Sequence, residues 1–434
     1  MGASIIVHRG TDTIGGTCIE IIAEAGRLIL DLGKPLMKSG GGEVEQSKLD
    51  RPSIENGILS NVPGLFDGEC EVPILGVLLS HAHPDHYGLL DYVHSSIPIY
   101  MSGESKALIE VGNIFYQDDL RLPETIKRCC NFEQGKAFSL GPFTITPYLM
   151  DHSAFGASSF LIEVEGKRIL YTGDLRAHGR KGDLFWALPH KVGHVDCMLM
   201  EGTTLGGKHH DGYNDEKAVE EGMVKAFATD HATFALGSGG NVDWLVSLYR
   251  ACKPTNKLLV LDLYQFHLLT RLKPFSDALP PHQGDHVRVL YTKYQAEKLE
   301  QHDLVDVMTK EAVRRKISRD EIWAHPEKMV VRISRGEMKR LADKMEQQDK
   351  IRFIYSMWQG YLERDSNIAD FPQQYGCEWK SIHTSGHAWL EDLQKLTTAI
   401  QPNMLVPIHT LQASSFGKHF SNVKQVQNGE TFQI

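Results

Sequence analysis

Val72-Pro73-Ile74-Leu75-Gly76-Val77-Leu78-Leu79-Ser80 runs directly into His81-Ala82-His83-Pro84-Asp85-His86. The first part is almost wholly apolar and reads as a buried strand. The second places four side chains able to bind metal just past that strand. Alternate residues of an extended chain face the same way, so His81 and His83 reach one ion. Pro84 turns the chain into a helix, which carries Asp85 and His86 to a second position. Imidazole and carboxylate donors suit zinc or a similar first-row ion.

The same pattern, a ligand at a strand end, recurs three times. Phe143 to Met150 ends in Asp151-His152, a strand from Lys167 ends in Gly173-Asp174, and Met404 to Ile408 ends in His409. Loops at strand ends are where layered folds carry their sites. Two hairpin patterns lie among these segments. One is Thr17 to Glu24, a turn at Ala25-Gly26, then Arg27 to Asp31. The other is Ser158 to Val164, a turn at Glu165-Gly166, then Lys167 to Asp174. Both end in an aspartate beside a glycine. This echo predicts two similar β-rich halves covered by helices such as 104–117, a sandwich of sheets with outer helices.

From 206 to 370 the texture changes. A helix is expected over Asp215 to Ala228 and a strand over Thr233 to Leu236. Gly237-Ser238-Gly239-Gly240-Asn241 then opens a helix at 242–252, and a buried strand runs from Lys257 to Leu263. Residues 292–317 read as a charged helix ending in Arg314-Arg315-Lys316. Strand and helix in alternation predict a parallel α/β domain. From 371 the β-rich character returns, with a helix at 388–400 before the last strand. The expected organisation is one domain (1–205 and 371–434) interrupted by another (206–370).

Length and composition agree. The 434 residues suit two or three domains. Hydrophobic residues at 41% and charged residues at 23% exclude a disordered chain. No apolar run reaches the ~18 residues of a membrane helix. Met1 to Gly10 holds only Ile5-Ile6-Val7 as an apolar stretch, so no signal peptide is expected. The seven cysteines include no Cys-x-x-Cys pair. Reduced thiols in a cytoplasmic protein, away from membranes, are the expectation. The net charge of −9 speaks only mildly against a polyanionic partner, because the placement of basic groups decides such binding.

His-x-His-x-Asp-His, a lone His and a strand-end Gly-Asp together resemble the metallo-β-lactamase superfamily. Leu199-Met200-Glu201-Gly202-Thr203-Thr204, Thr384-Ser385-Gly386-His387-Ala388 and Val406-Pro407-Ile408-His409 resemble motifs A, B and C of its β-CASP nuclease branch, which includes ribonuclease J. The resemblance covers nearly the whole chain in intact motif order. It implies an αββα metallo-β-lactamase sandwich with an inserted parallel α/β β-CASP cap. It implies two zinc ions, with manganese as the alternative. His81, His83 and His152 would hold the first, Asp85, His86 and His409 the second, and Asp174 would bridge them. Glu201 would orient His387, which would protonate the leaving oxygen while a metal-bridging hydroxide attacks phosphorus. Such ions would make the cleft locally positive whatever the overall charge.

Histidine at motif C, where DNA-cutting members usually carry valine, leans the substrate towards RNA, in single strands. Ser385, Gly386 and Ala388 resemble the segment whose amides hold a substrate phosphate. Ser238 and Asn241 stand where relatives carry a Ser-Asn loop ahead of a helix. Arg176, Arg180 and Lys181 follow Asp174 and are further candidates for phosphate contact. Departures are present as well. Tyr355-Ser356-Met357-Trp358-Gln359-Gly360-Tyr361 replaces a Gly-Ser-Gln-Gly segment. Its Trp358 and Tyr361 either stack on bases or pack an interface. Only 25 residues follow His409, so the expectation is ribonuclease J without its C-terminal domain. Homo-oligomers are compatible with the resemblance. The mode of cutting, internal or from the 5′ end, stays open. A DNA nuclease, a small-nucleotide phosphodiesterase and a non-catalytic RNA-binding subunit are the alternatives.

Overall fold

The structure, a computed structural model, describes residues 2–38, 42, 44–116, 122–206, 212–281, 285–344, 350–364 and 366–434. The chain forms two compact units. One comprises Met1–Lys106, Asp119–His209 and Gly386–Ile434, the other Ala107–Asp118 and His210–Ser385.

In the first unit, one sheet has the strand order Thr431–Gln433, Ser4–Arg9, Cys18–Ala23, Gly26–Leu30, Ile74–Leu78, Ile99–Ser102, Cys130–Phe132. A second has the order Met404–Ile408, Cys197–Glu201, Lys167–Tyr171, Ser158–Val164, Phe143–Leu149, Phe138–Leu140. Side chains alternate across a strand, and that alternation builds the layers. Ile5, Val7, Ile19 and Ile21 meet Phe160, Ile162, Tyr171 and Leu199 between the sheets. The intervening Leu161, Leu170, Met198 and Met200 face outward. They pack on Phe185 and Leu188 of the helix Gly182–Val192 and on Leu393 and Leu396 of the helix Leu390–Ile400. The fold is α/β, of the αββα kind.

Both expected hairpins form, with Ile19 opposite Leu30 and Leu161 opposite Leu170. Glu165 and Gly166 have φ of 49° and 75°, the left-handed pair of a type I′ turn. The other turn falls at Glu24-Ala25, one residue earlier than expected. Gly26 is paired with Ala23 inside the ladder, and a Cβ on it would meet the Leu75 side chain at 2.4 Å.

The second unit is built on a seven-stranded parallel sheet. Its order is Lys316–Ile317, Val287–Leu290, Leu258–Asp262, Met329–Arg332, Ala232–Gly237, Ile351–Ser356, Glu378–Ser381. Helices Glu216–Phe227 and Val242–Cys252 bury Val219, Met223, Trp244 and Leu248 on one face. Met338 and Leu341 pack on the other face with Phe234, Val260 and Phe353. Burial of both faces explains the continuous apolar runs of these strands.

Three expectations need correction. The first unit resumes at Gly386, not at 371, because Glu378–Ser381 joins the parallel sheet beside Ile351–Ser356. The stretch 292–317 is not one helix. Lys293–Gln301 is α-helical and Asp303 at φ 57° ends it; a π-helical turn, a 3-10 turn and the strand Lys316–Ile317 follow. The helix expected at 104–117 spans Gly103–Tyr116, and residue 117 lies outside the described residues. Among the described residues, no helix is long and apolar enough to cross a membrane.

The turn at His83–His86 is clasped by backbone. Gly16 and Thr17 donate to the Asp85 carbonyl at 3.0 and 3.2 Å, and Leu32 donates to that of His86 at 2.8 Å. A Cβ on Gly33 would lie 1.6 Å from the Asp85 oxygen. Gly33→Ala is therefore expected to force this turn aside and to cost about 3 kcal/mol, read from the urea midpoint. An unchanged midpoint would mean that the turn yields freely.

Candidate metal centre

Strand ends bring the expected ligands together. His81, His83, His152 and Asp174 form one group of converging donor atoms; Asp85, His86 and His409 form another. His81 Nε2 lies 3.0 Å from His83 Nδ1, which lies 3.2 Å from His152 Nε2; Asp174 Oδ2 is 3.6 Å from His81 Nε2. Metal–nitrogen bonds of 2.0–2.1 Å in a tetrahedron separate the donors by about 3.4 Å, so this spacing suits one ion. In the other group, His86 Nε2 is 3.1 Å from Asp174 Oδ2, and His409 Nε2 is 3.2 Å from Asp85 Oδ2. Asp174 thus belongs to the first group and adjoins the second through His86, and it also forms a third group with Glu201, His387 and His409.

The donors' outer atoms are occupied. His152 Nδ1 donates to the Gly386 carbonyl at 2.6 Å, and His86 Nδ1 donates to Asp31 Oδ2 at 2.7 Å. Ser80 Oγ, which donates to Asp31 at 2.7 Å, accepts from His81 Nδ1 at 3.0 Å. These bonds leave bare nitrogens pointing inward at one another. His86 Nε2 and Asp174 Oδ1 are buried without a hydrogen-bond partner. A cation is the chemistry this donor set fits.

Electrostatics point the same way for three of the rings, whereas, against burial, Asp174, Asp85 and Asp31 raise His86 well above the usual imidazole range. Burial, then the neighbouring histidines, hold His81 and His152 well below the usual imidazole range. Burial likewise pushes His83 down to about 4. These rings are neutral at pH 7, the form that binds metal. Burial works against the charge of Asp85, but His86 and His409 outweigh it and bring the carboxyl to about 2.

Glu201, at the end of Cys197–Glu201, accepts from the backbone of Leu175 at 3.0 Å and of Thr203 at 3.2 Å. Both its oxygens lie 3.1 Å from His387 Nδ1, and Asp174 Oδ2 is 3.9 Å from the same nitrogen. Burial opposes protonation of His387, yet Glu201 and Asp174 raise its pKa to about 9.

Some of the groups expected to meet phosphate make bonds within the chain. The Ala388 N–H donates to the Leu175 carbonyl at 2.7 Å, and the helix begins only at Leu390. The Gly386 carbonyl accepts from His152, and a Cβ on Gly386 would sit 2.8 Å from Ser153 Oγ. Asn241 caps Val242–Cys252 by accepting from the Trp244 N–H at 3.1 Å, and its own N–H goes to the Ser238 carbonyl. Arg176 is fully buried against Asp151 at 3.2 Å. Ser238 is exposed and Ser385 half-buried. Trp358 and Tyr361 are 51% and 44% exposed, with rings edge-to-face at 5.5 Å.

The sequence reading missed Asp31 as part of the site. It is fully buried and accepts from Ser80, His86 and Tyr171. The signal was present, since Asp31 ends its hairpin as Asp174 ends the other. Asp31→Asn turns an acceptor towards donors into a donor. It is expected to weaken metal binding about 10- to 100-fold, measured by competition with a chelating dye; unchanged affinity would leave Asp31 a purely structural role.

Residues 60–236 match the model described as "Beta-lactamase superfamily domain". A solved protein of unknown function from Enterococcus faecalis V583 has the same fold over 100% of both chains, with a TM-score of 0.81 at 21% identity. Ribonuclease J of Sinorhizobium meliloti is 22% identical over 82% of this chain and 63% of its own length. An RNase J-like protein of Methanocaldococcus jannaschii is 24% identical over 59% of this chain and 54% of its own. The chain spans less than two thirds of these curated relatives. Over residues 60–236 the chain is thus similar to that superfamily, and its relatives at modest identity are named ribonuclease J and RNase J-like protein.

Proposed function

We propose that this chain is a metal-dependent ribonuclease that hydrolyses phosphodiester bonds of single-stranded RNA. His81, His83 and His152 would hold one divalent ion, Asp85, His86 and His409 the second, and Asp174 both; zinc suits this mixed nitrogen and oxygen set, with manganese as the alternative. The observation that carries the reading is the Glu201–His387 pair standing beside Asp174, within one cluster of inward-facing donors. Bound ions supply the activation of water and the positive charge that phosphodiester hydrolysis needs.

The chain's own groups do the rest. Water adds to phosphorus and releases a proton to solvent, and the bond from phosphorus to the ribose oxygen breaks. That oxygen takes the proton of His387 Nε2, because Nδ1 is engaged by Glu201. The carboxylate holds the ring in place and favours its charged form before transfer.

The reading is tested with end-labelled RNAs bearing a 5′-monophosphate, 5′-triphosphate or 5′-hydroxyl, beside single-stranded DNA of the same sequence and a dinucleotide. RNA is expected to be cut while DNA and dinucleotide are not. Mononucleotides formed only from the monophosphate substrate would define a 5′-exonuclease, and internal fragments an endonuclease. Equal cutting of DNA would overturn the choice of RNA. Tight RNA binding without hydrolysis by protein holding two ions would make the chain a binding subunit.

A further inference from the structure

We propose that Thr203 is a positioning residue that selects the metal-binding tautomer of His409 and ties that ring to the Glu201–His387 pair. The proposal rests on the reading of His409 as a metal ligand. Thr203 Oγ1 lies 2.9 Å from His409 Nδ1 and 3.3 Å from the His409 carbonyl oxygen. A hydroxyl has one proton to give and lone pairs to accept with. The carbonyl only accepts, so the hydroxyl donates there and takes the Nδ1 proton as acceptor. The ring is then protonated on Nδ1 and bare on Nε2. Bare Nε2 faces Asp85 Oδ2 at 3.2 Å, two acceptors that a cation reconciles. With the opposite tautomer, Nε2–H would bond Asp85 and offer an ion no lone pair.

The backbone shows why a clasp is needed. His409 has φ 48°, left-handed and strained for a non-glycine residue. Parallel pairing sets Glu201 beside Ile408, which brings the two strand-end loops alongside. Thr410 Oγ1 donates to the Gly202 carbonyl at 2.8 Å, a second bond between them. A Cβ on Gly202 would meet the Phe416 ring at 2.5 Å, so this approach requires glycine. The Thr203 N–H also donates to Glu201 Oε2 at 3.2 Å. One residue thereby touches both the carboxylate behind His387 and the imidazole of His409.

The test needs no RNA. Chelator-stripped wild type, Thr203→Val, Thr203→Ser and His409→Ala are titrated with zinc in a calorimeter. Wild type and Thr203→Ser are expected to bind two ions. Thr203→Val is expected to bind the first normally and the second about 10- to 100-fold more weakly. Should Thr203→Val not fold, Thr203→Ala carries the same comparison. Second-ion binding lost in His409→Ala but intact in Thr203→Val would overturn the proposal alone. Intact second-ion binding in His409→Ala would overturn the reading of His409 as a ligand, and the proposal with it.

Discussion

His387→Ala is expected to slow RNA cleavage by about 10²- to 10⁴-fold, the usual worth of a positioned general acid. Metal content and fold should persist. His387 is 23% exposed at its side chain and holds no core position. Its charged form is favoured by neighbouring carboxylates. Burial alone would discharge it, but Glu201 at 3.1 Å and Asp174 at 3.9 Å push its pKa up to about 9. An acid must be protonated to act, so wild-type cleavage should fall as pH rises through this pKa. Cations compensating Asp174 and Asp85 leave Glu201 as the raising influence, which places that alkaline limb below 9. His387→Ala should lack the limb altogether. A folded His387→Ala protein with full activity would sink the assignment, and a persisting alkaline limb would move the titration to another group.

Asp174→Asn is expected to abolish both activity and metal retention. Asp174 stands in one donor group and 3.1 Å from His86 of the other, and, against the penalty of burial, His409, His86 and His387 hold its carboxyl well below the ordinary range. The amide keeps the shape and removes the charge. Wild-type protein is expected to hold two ions per chain and the variant well under one, by elemental analysis. Ligands that bind only the folded state add about 4 kcal/mol at a thousandfold excess over Kd. Wild type should therefore melt on the order of 10 °C above Asp174→Asn, and a chelator should erase the gap. Two tightly held ions in Asp174→Asn would remove Asp174 from the centre of the site.

Much of this site was legible because its signals are local. An apolar run ending in His81-Ala82-His83-Pro84-Asp85-His86 states a strand, a turn and a donor set in one stretch. His152, Asp174 and His409 follow the same rule of a candidate donor past a strand end, and the structure brings these donors together in overlapping groups. The hairpins and the parallel sheet of the second unit were legible for the same reason, since alternation and apolar runs report burial.

The remainder depends on distance through space. Asp31 lies 55 positions from the His86 ring it holds, and Thr203 lies 206 positions from His409. No periodicity links such pairs; only the stacking and register of strands do. Gly386 marks the return to the first unit because an edge strand, Glu378–Ser381, pairs with a parallel neighbour, and pairing partners are not written in composition. Amide use at Ala388 and Asn241 was equally hidden, since a backbone N–H looks the same in sequence whether it meets a carbonyl or a ligand. The sequence by itself determined which donors exist and which secondary structure carries them, because ligand chemistry and hydrophobic period belong to the residues. Only the tertiary structure decided which nitrogen of each ring faces inward, since that depends on partners the fold brings from elsewhere.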